Sequence, residues 1–184
     1  MNIILAGDSL TEGMDVARYF TGSNVINKGV YGDNLEGLSA RLDRDVISQA
    51  PDLLFILIGT NDFALGHSNN EILAGFKKMA DKLSSALSGT VIYISSLLPT
   101  RNIENRPNDR IDELNRHLEV LVQEANLGFL PLNDIFKDEA GLLREDATTD
   151  GLHLSGKGYK IWADVLNEYI RFHEKKMGKT AAFR

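Results

Sequence analysis

Cysteine is absent from this chain of 184 residues. Its absence excludes disulfides, thiolate metal sites and a cysteine nucleophile. Long apolar runs are also missing: no stretch approaches the roughly 20 apolar residues of a membrane span, which predicts no integral membrane segment. Basic residues are too few to balance the acidic ones, because 20 Lys and Arg against 26 Asp and Glu leave a formal net charge of -6. Such a charge argues against broad affinity for nucleic acid or an anionic membrane.

What the chain does contain is the composition of a soluble globular protein, with 43% hydrophobic and 25% charged residues. We predict a single domain over residues 1–175 and a mobile, basic C-terminal tail over residues 176–184. A short apolar run directly follows Met1 and Asn2, with no basic stretch or cleavage site before it, and this start predicts a cytoplasmic protein. A secreted form trimmed of its signal peptide would begin similarly and stays open, as does a homo-oligomer.

Short apolar runs alternate with helical periodicities along the chain. The longest run, Leu53 to Ile58, is apolar on both faces, as in the centre of a parallel sheet covered by helices. Between the runs, apolar residues recur every three or four positions and predict amphipathic helices, and Ser155 is placed to cap the last of them. This alternation predicts an α/β fold with right-handed crossovers and helices on both faces. The predicted strands are 3–6, 25–26, 53–58, 91–94 and 128–130, and the predicted helical patterns cover 35–46, 72–83, 111–122 and 161–169.

Polar loops follow several of the predicted strands. Residues 7–10 (GDSL) come after the first strand, a loop containing Gly32 after the second, and residues 59–62 (GTND) after the third. Residues 150–153 (DGLH) lie in the loop beyond the fifth. Sites in open parallel sheets form beyond the carboxyl ends of the strands, so all four loops are predicted at one edge of the sheet.

Ser9 is the candidate nucleophile. It lies between a strand and a predicted helix, where backbone N–H groups and the helix dipole favour developing negative charge, although a serine there is also a common N-cap. A serine hydroxyl needs a base. His153 is the candidate base, because Asp150 precedes it by three residues and can accept from one ring nitrogen while the other faces Ser9. The remaining histidines are predicted to be surface or structural residues: His67, His117 and His173.

Asn61 and Gly32 are candidate donors to an oxyanion, together with the backbone N–H of Ser9. The Asn61 side chain offers an amide, and Gly32 lets the backbone approach a ligand closely. Read alone, Gly32 also suits a plain turn and Asn61 an Asx turn. We assign Asp8 and Asp62 to hydrogen bonds that shape the loops, because a second negative charge beside the oxyanion would oppose the chemistry.

These strings resemble the motifs of the SGNH-hydrolase superfamily, also called the GDSL esterases and lipases, over nearly the whole chain from Met1 to about Tyr169. The four residues of that name match Ser9, Gly32, Asn61 and His153. The resemblance implies a three-layer α/β/α flavodoxin-like sandwich with a five-stranded parallel sheet in the order 2-1-3-4-5. It also implies a catalytic triad of Ser9, Asp150 and His153, an oxyanion hole of Ser9, Gly32 and Asn61, and no metal or cofactor.

Within this superfamily, the motifs are similar to those of platelet-activating-factor acetylhydrolase-like and thioesterase/lysophospholipase-like members. One departure is Leu154, where many members carry proline after the histidine; we expect a slightly altered loop with no catalytic group lost. The predicted activity is that of a serine ester hydrolase. It would remove short acyl groups, above all acetyl, from a small or carbohydrate alcohol through an acyl-enzyme intermediate.

Other functions stay open at this point. Long-chain lysophospholipase or acyl-thioesterase activity is the first alternative. Four loop residues past strand ends either line an acyl pocket or pack back onto the core: Leu65, Leu97, Leu98 and Ile103. A noncatalytic ligand-binding module is an alternative of another class, since fold alone does not settle function, but the chain keeps all three triad residues. An FMN-binding protein has little support, because the first loop carries a carboxylate where phosphate would sit.

Overall fold

A computed structural model describes the backbone of residues 1–181 and the side chains of residues 1–176. Within these residues one sheet has five parallel strands in the order β2-β1-β3-β4-β5. The predicted fold class and strand order are therefore confirmed. The strands are β1 (Asn2–Gly7), β2 (Asn24–Gly29), β3 (Leu53–Leu57), β4 (Val91–Ser95) and β5 (Gly128–Leu130).

Helices cover both faces of the sheet. Side chains of a strand alternate between faces, so Ile4 and Ala6 of β1 join one apolar cluster and Ile3 and Leu5 join the other. The first cluster lies under α3, α5 and α6, and the second under α1, α7 and α8. The helices are α1 (Ser9–Glu12), α2 (Val16–Tyr19), α3 (Leu35–Asp45), α4 (Thr60–Ala64), α5 (Asn69–Ala86), α6 (Asn108–Glu124), α7 (Asn133–Phe136) and α8 (Gly156–Ala181).

Some elements extend beyond the apolar patterns that predicted them, whereas β3 and α3 each end one residue before the predicted end. The strand β2 includes the polar Asn27 and Lys28, which an edge strand tolerates because it has a neighbour on one side only. The helix α5 starts before its apolar stripe, where Ser68 and Glu71 form a capping box. The predicted cap of α8 is confirmed, because Ser155 Oγ accepts from Gly158 N at 3.2 Å.

The last helix reaches into the segment predicted as a tail. Its backbone is helical to Ala181, and the rest of the predicted tail, residues 182–184, lies outside the described residues. Up to residue 181 the structure contains no helix that is both long enough and apolar enough to cross a membrane.

Candidate active site

The sheet brings three of the candidate loops to one edge. Gly7 at the end of β1 pairs with Gly29 of β2 on one side and with Leu57 of β3 on the other. The loops that leave these three strands carry Ser9, Gly32 and Asn61, so all three start from neighbouring positions. The predicted common edge follows from parallel pairing in this register.

Ser9, His153 and Asp150 form a continuous chain of hydrogen bonds across the fold. Ser9 Oγ lies 3.1 Å from His153 Nε2, and His153 Nδ1 lies 2.7 Å from Asp150 Oδ2. Asp150 Oδ1 also accepts from the backbone N–H groups of Leu152 and His153, at 2.9 and 2.7 Å. Burial opposes ionisation of Asp150, but these hydrogen bonds from His153 and Leu152 outweigh it and lower its pKa to about 2. The Asp150 carboxylate is therefore ionised at neutral pH, where it orients the imidazole of His153.

The turn that carries His153 is held by its neighbours. Gly151 has a φ of +88°, and a Cβ there would lie 2.1 Å from the carbonyl oxygen of Arg101, so only glycine fits. Arg101 N donates to the Gly151 carbonyl at 2.8 Å. Thr148 Oγ1 accepts from Gly151 N and donates to the carbonyl of His153. Leu154, where the sequence departs from the motif it resembles, is buried and pairs with Thr148, so the turn stays braced.

The candidate oxyanion donors lie beside one another. Gly32 has a φ of +73°, which favours glycine, while a Cβ there would meet open space. Asn61 Nδ2 donates to the carbonyl of Asp33, the residue after Gly32, at 2.8 Å. Among the described residues no hydrogen bond uses the backbone N–H of Ser9 or Gly32. Both N–H groups are therefore free to bind a ligand's oxygen.

Arg106 also belongs to this site, and sequence reasoning missed it. Its Nε donates to the carbonyl of Thr60 at 3.0 Å, and its Nη2 donates to Asn61 Oδ1 at 3.1 Å. Burial lowers the pKa of Arg106, and the neighbouring Asp8 opposes that shift. The residue lies between the fourth predicted strand and the third predicted helical pattern, where an arginine gives no pattern that points to a contact 45 residues away.

The two carboxylates beside the candidate groups do shape the loops. Asp62 Oδ2 accepts from Leu35 N at the start of α3, at 3.1 Å, and Oδ1 lies 3.3 Å from His67 Nδ1. Asp8 Oδ1 accepts from Leu10 N at 2.9 Å, but its Oδ2 has no hydrogen-bond partner among the described residues. Asp8 is fully buried, and this burial raises its pKa to about 7, although Leu10 N, His153 and Arg106 favour the charged form.

Replacing Asp8 with asparagine should stabilise the protein at neutral pH more than at acidic pH. The pKa of Asp8 rises from its ordinary value of 3.8 to about 7 on folding, so the unfolded chain ionises first and stability is lost as the pH rises through this window. Asparagine cannot ionise and avoids that loss. The variant's free energy of unfolding minus that of the wild type should rise by about 2–4 kcal/mol from pH 4 to pH 8, as measured by denaturant titration. If the difference in free energy of unfolding between variant and wild type does not change with pH, burial does not raise the pKa of Asp8.

The other histidines do not contact Ser9. His117 is exposed on α6, and His67 pairs with Asp62. His173 is buried on α8, where its Nε2 lies 2.9 Å from the Tyr93 hydroxyl and burial lowers its pKa. Among the side chains that the structure describes, those of residues 1–176, no three His, Asp or Glu are grouped to hold a metal ion.

Comparisons with known proteins place the chain in a family. The model of the GDSL-like lipase/acylhydrolase family matches residues 5–161. A solved structure from Streptococcus pneumonia, whose name refers to a platelet activating factor, is 32% identical to this chain and superposes with a TM-score of 0.85. The match covers 91% of this chain and 83% of the other chain. The acetylxylan esterase of Geobacillus stearothermophilus is 25% identical over 162 residues, 82% of this chain and 74% of that enzyme.

A shorter match is to the isoamyl acetate-hydrolyzing esterase of Saccharomyces cerevisiae, 38% identical over 77 residues. That match spans 39% of this chain and only 32% of the yeast enzyme. The family model, by contrast, extends over most of the chain, from the middle of β1 into α8. The chain belongs to the GDSL-like lipase/acylhydrolase family and is a carboxylic ester hydrolase.

Proposed function

We propose that Ser9, His153 and Asp150 hydrolyse esters of short acyl groups, above all acetyl, on a small or carbohydrate alcohol. The observation that carries this proposal is the hydrogen-bond chain from Ser9 Oγ to His153 Nε2, and from His153 Nδ1 to Asp150 Oδ2. A nucleophile, a base and an orienting carboxylate in that order are what acyl transfer requires.

In the first half of the reaction Ser9 attacks the ester carbonyl. His153 Nε2 takes the proton from Ser9 Oγ as the new C–O bond forms, and the carbonyl oxygen becomes an oxyanion. The intermediate then collapses: the bond to the alcohol oxygen breaks, and His153 gives its proton to that oxygen. The alcohol leaves, and the acyl group remains on Ser9.

The second half repeats these steps with water. His153 takes a proton from a water molecule, whose oxygen attacks the acyl carbonyl. Collapse of this second intermediate breaks the bond to Ser9 Oγ, which regains its proton from His153, and the carboxylic acid leaves. Asp150 keeps Nδ1 protonated throughout, so Nε2 is the nitrogen that accepts and returns the proton.

The oxyanion is assigned to the backbone N–H groups of Ser9 and Gly32 and to the side-chain amide of Asn61. Three observations support this assignment. The two backbone groups lack partners within the described residues, and Asn61 bonds the residue after Gly32. The three segments also leave β2, β1 and β3, which lie side by side in that order. One such donor is typically worth about 3 kcal/mol in the transition state.

A short acyl group suits the apolar surroundings. Leu97 and Leu98 are buried, and the cavity that they line beside Asp8 has a volume of only about 10 Å³. Leu65 is 61% exposed and Ile103 is half-buried. These residues therefore supply no deep acyl channel. The names of the yeast and Geobacillus relatives, an acetate-hydrolyzing esterase and an acetylxylan esterase, favour acetyl for the same position.

The acyl preference should appear as a falling rate along a series of p-nitrophenyl esters. We expect kcat/KM to be highest for acetate and at least about tenfold lower for octanoate. A long acyl group with no pocket to bind it gains no stabilisation of the transition state. Release of carboxylic acid from acetylated xylo-oligosaccharides, a lysophospholipid and an acyl thioester identifies the preferred leaving group. A rate that rises with chain length, or a preference for the lysophospholipid, would favour the long-chain alternative instead.

A further inference from the structure

Arg106 lies at the end of the loop that joins β4 to α6 and points back to α4. The loop holds it firmly: Arg106 N donates to the Ile103 carbonyl at 3.1 Å, and the Arg106 carbonyl accepts from Thr100 Oγ1 at 2.8 Å. From there the guanidinium donates to the Thr60 carbonyl and to Asn61 Oδ1. The two bonds fix the planar guanidinium against the first turn of α4.

These contacts determine which way the Asn61 amide faces. Its Nδ2 donates to the Asp33 carbonyl at 2.8 Å, and its Oδ1 accepts from Arg106 Nη2 at 3.1 Å. A flipped amide would set Oδ1 against the Asp33 carbonyl and the NH₂ group against the guanidinium. Both contacts would then be repulsive, so the network specifies one orientation.

One N–H of Asn61 has no acceptor within the described part of the chain. The amide nitrogen has two hydrogens, and one of them is donated to the Asp33 carbonyl. The second is left for a ligand. Because the guanidinium is charged, its hydrogen bond to Oδ1 also draws electron density through the amide and makes the remaining N–H a stronger donor.

We infer that Arg106 is a positioning residue, which fixes and polarises the Asn61 amide so that its free N–H meets the oxyanion. This inference rests on the proposed function, in which Asn61 is an oxyanion donor. Arg106 acts through Asn61 and makes no contact with Ser9 or His153 among the hydrogen bonds of the described residues.

Two other roles would use the same side chain. Arg106 also ties the β4–α6 loop to α4 through the Thr60 carbonyl, which is a purely structural role. Its charge also favours the ionised form of Asp8. Neither role depends on the Asn61 side chain, whereas positioning of the amide does. Coupling between Arg106 and Asn61 therefore separates the inference from both alternatives.

The test is a double-mutant cycle with p-nitrophenyl acetate. Asn61→Ala should lower kcat about 100-fold, because it removes one oxyanion donor. Arg106→Gln should lower kcat about tenfold and change KM by less than about twofold, since the oxyanion exists only in the transition state. When Asn61→Ala is already present, Arg106→Gln should change kcat by less than about twofold.

Arg110→Gln is the matched control. Arg110 donates to the His67 carbonyl at 2.8 Å and its guanidinium lies 4.8 Å from the centre of the Phe63 ring, so it holds the same segment without touching Asn61. We expect this control to change kcat by less than about twofold, whatever it does to the melting temperature. If Arg106→Gln does not fold, the cycle is run with Arg106→Lys, which keeps the charge and loses the planar fork.

The outcomes distinguish the inference from the proposed function. If Arg106→Gln costs the same in the presence and absence of the Asn61 amide, Arg106 acts structurally or through charge alone, and the inference is overturned while the ester hydrolysis stands. If Asn61→Ala leaves kcat unchanged, the assignment of Asn61 fails and the inference fails with it. If Arg110→Gln lowers kcat as much as Arg106→Gln does, the inference is also overturned.

Discussion

Replacing Ser9 with alanine is expected to lower kcat for p-nitrophenyl acetate by at least about 10⁴-fold. The substitution removes the hydroxyl oxygen that lies 3.1 Å from His153 Nε2 and that would carry the acyl group. His153, Asp150 and the oxyanion donors remain, so a slow attack by water is all that is left. The pre-steady-state burst of p-nitrophenol should vanish, and mass spectrometry after brief reaction with an organophosphonate should show no adduct on the variant.

Ser68→Ala serves as the matched control for this experiment. Ser68 is also a serine at a helix start, where its side chain accepts from Glu71 N in the capping box of α5. Its loss should reduce stability by about 1 kcal/mol and leave kcat and the burst unchanged. An unchanged burst in Ser9→Ala would show that another residue carries the acyl group, and Ser9 would then be an ordinary residue at a helix start.

The sequence predicts most of the fold because each layer leaves a local pattern. The run from Leu53 to Leu57 is apolar on both faces because it is the central strand, with one apolar cluster on each side. The order of the strands leaves no such pattern and follows only from the resemblance to a family. The true start of α5 depends on Ser68 and Glu71, which lie outside the apolar stripe that predicted the helix.

The candidate site could be predicted in part for a similar reason. Ser9 and Asn61 are near the ends of adjacent parallel strands, so their proximity follows from topology, and Asp150 is near His153 because three residues separate them. Arg106 has neither advantage. Its contact with Asn61 depends on the path of the loop after β4, which a single sequence does not specify.

Asp8 shows a different limit. Sequence reasoning assigned it to hydrogen bonding within the loop, which describes Oδ1 and its bond to Leu10 N. The unpartnered Oδ2 and the resulting pKa near 7 arise from complete burial, which depends on the packing of distant elements. Residue type alone predicts the contact but not the protonation state.

Replacing Asp150 with asparagine should lower kcat by about 10³- to 10⁴-fold with little change in fold. The amide oxygen can still accept from the backbone N–H groups of Leu152 and His153, as Asp150 Oδ1 does. The amide NH₂ would then face His153 Nδ1 and favour the tautomer that carries its proton on Nε2. That nitrogen could no longer take the proton from Ser9, and steady-state kinetics of the folded variant measure the loss.

Asp146→Asn provides the comparison that separates orientation from charge. Asp146 lies in the same segment, pairs with Arg144 and Lys157, and has a pKa lowered to about 2, above all by its hydrogen bond from Arg144. It does not contact His153, so its replacement should change kcat by less than about twofold, because exposed ion pairs contribute little. Since both substitutions remove one negative charge from the segment that precedes His153, equal effects would show that Asp150 acts only through its charge. A large loss in Asp150→Asn alone assigns the effect to the hydrogen bond at Nδ1, and with it the tautomer on which proton transfer from Ser9 depends.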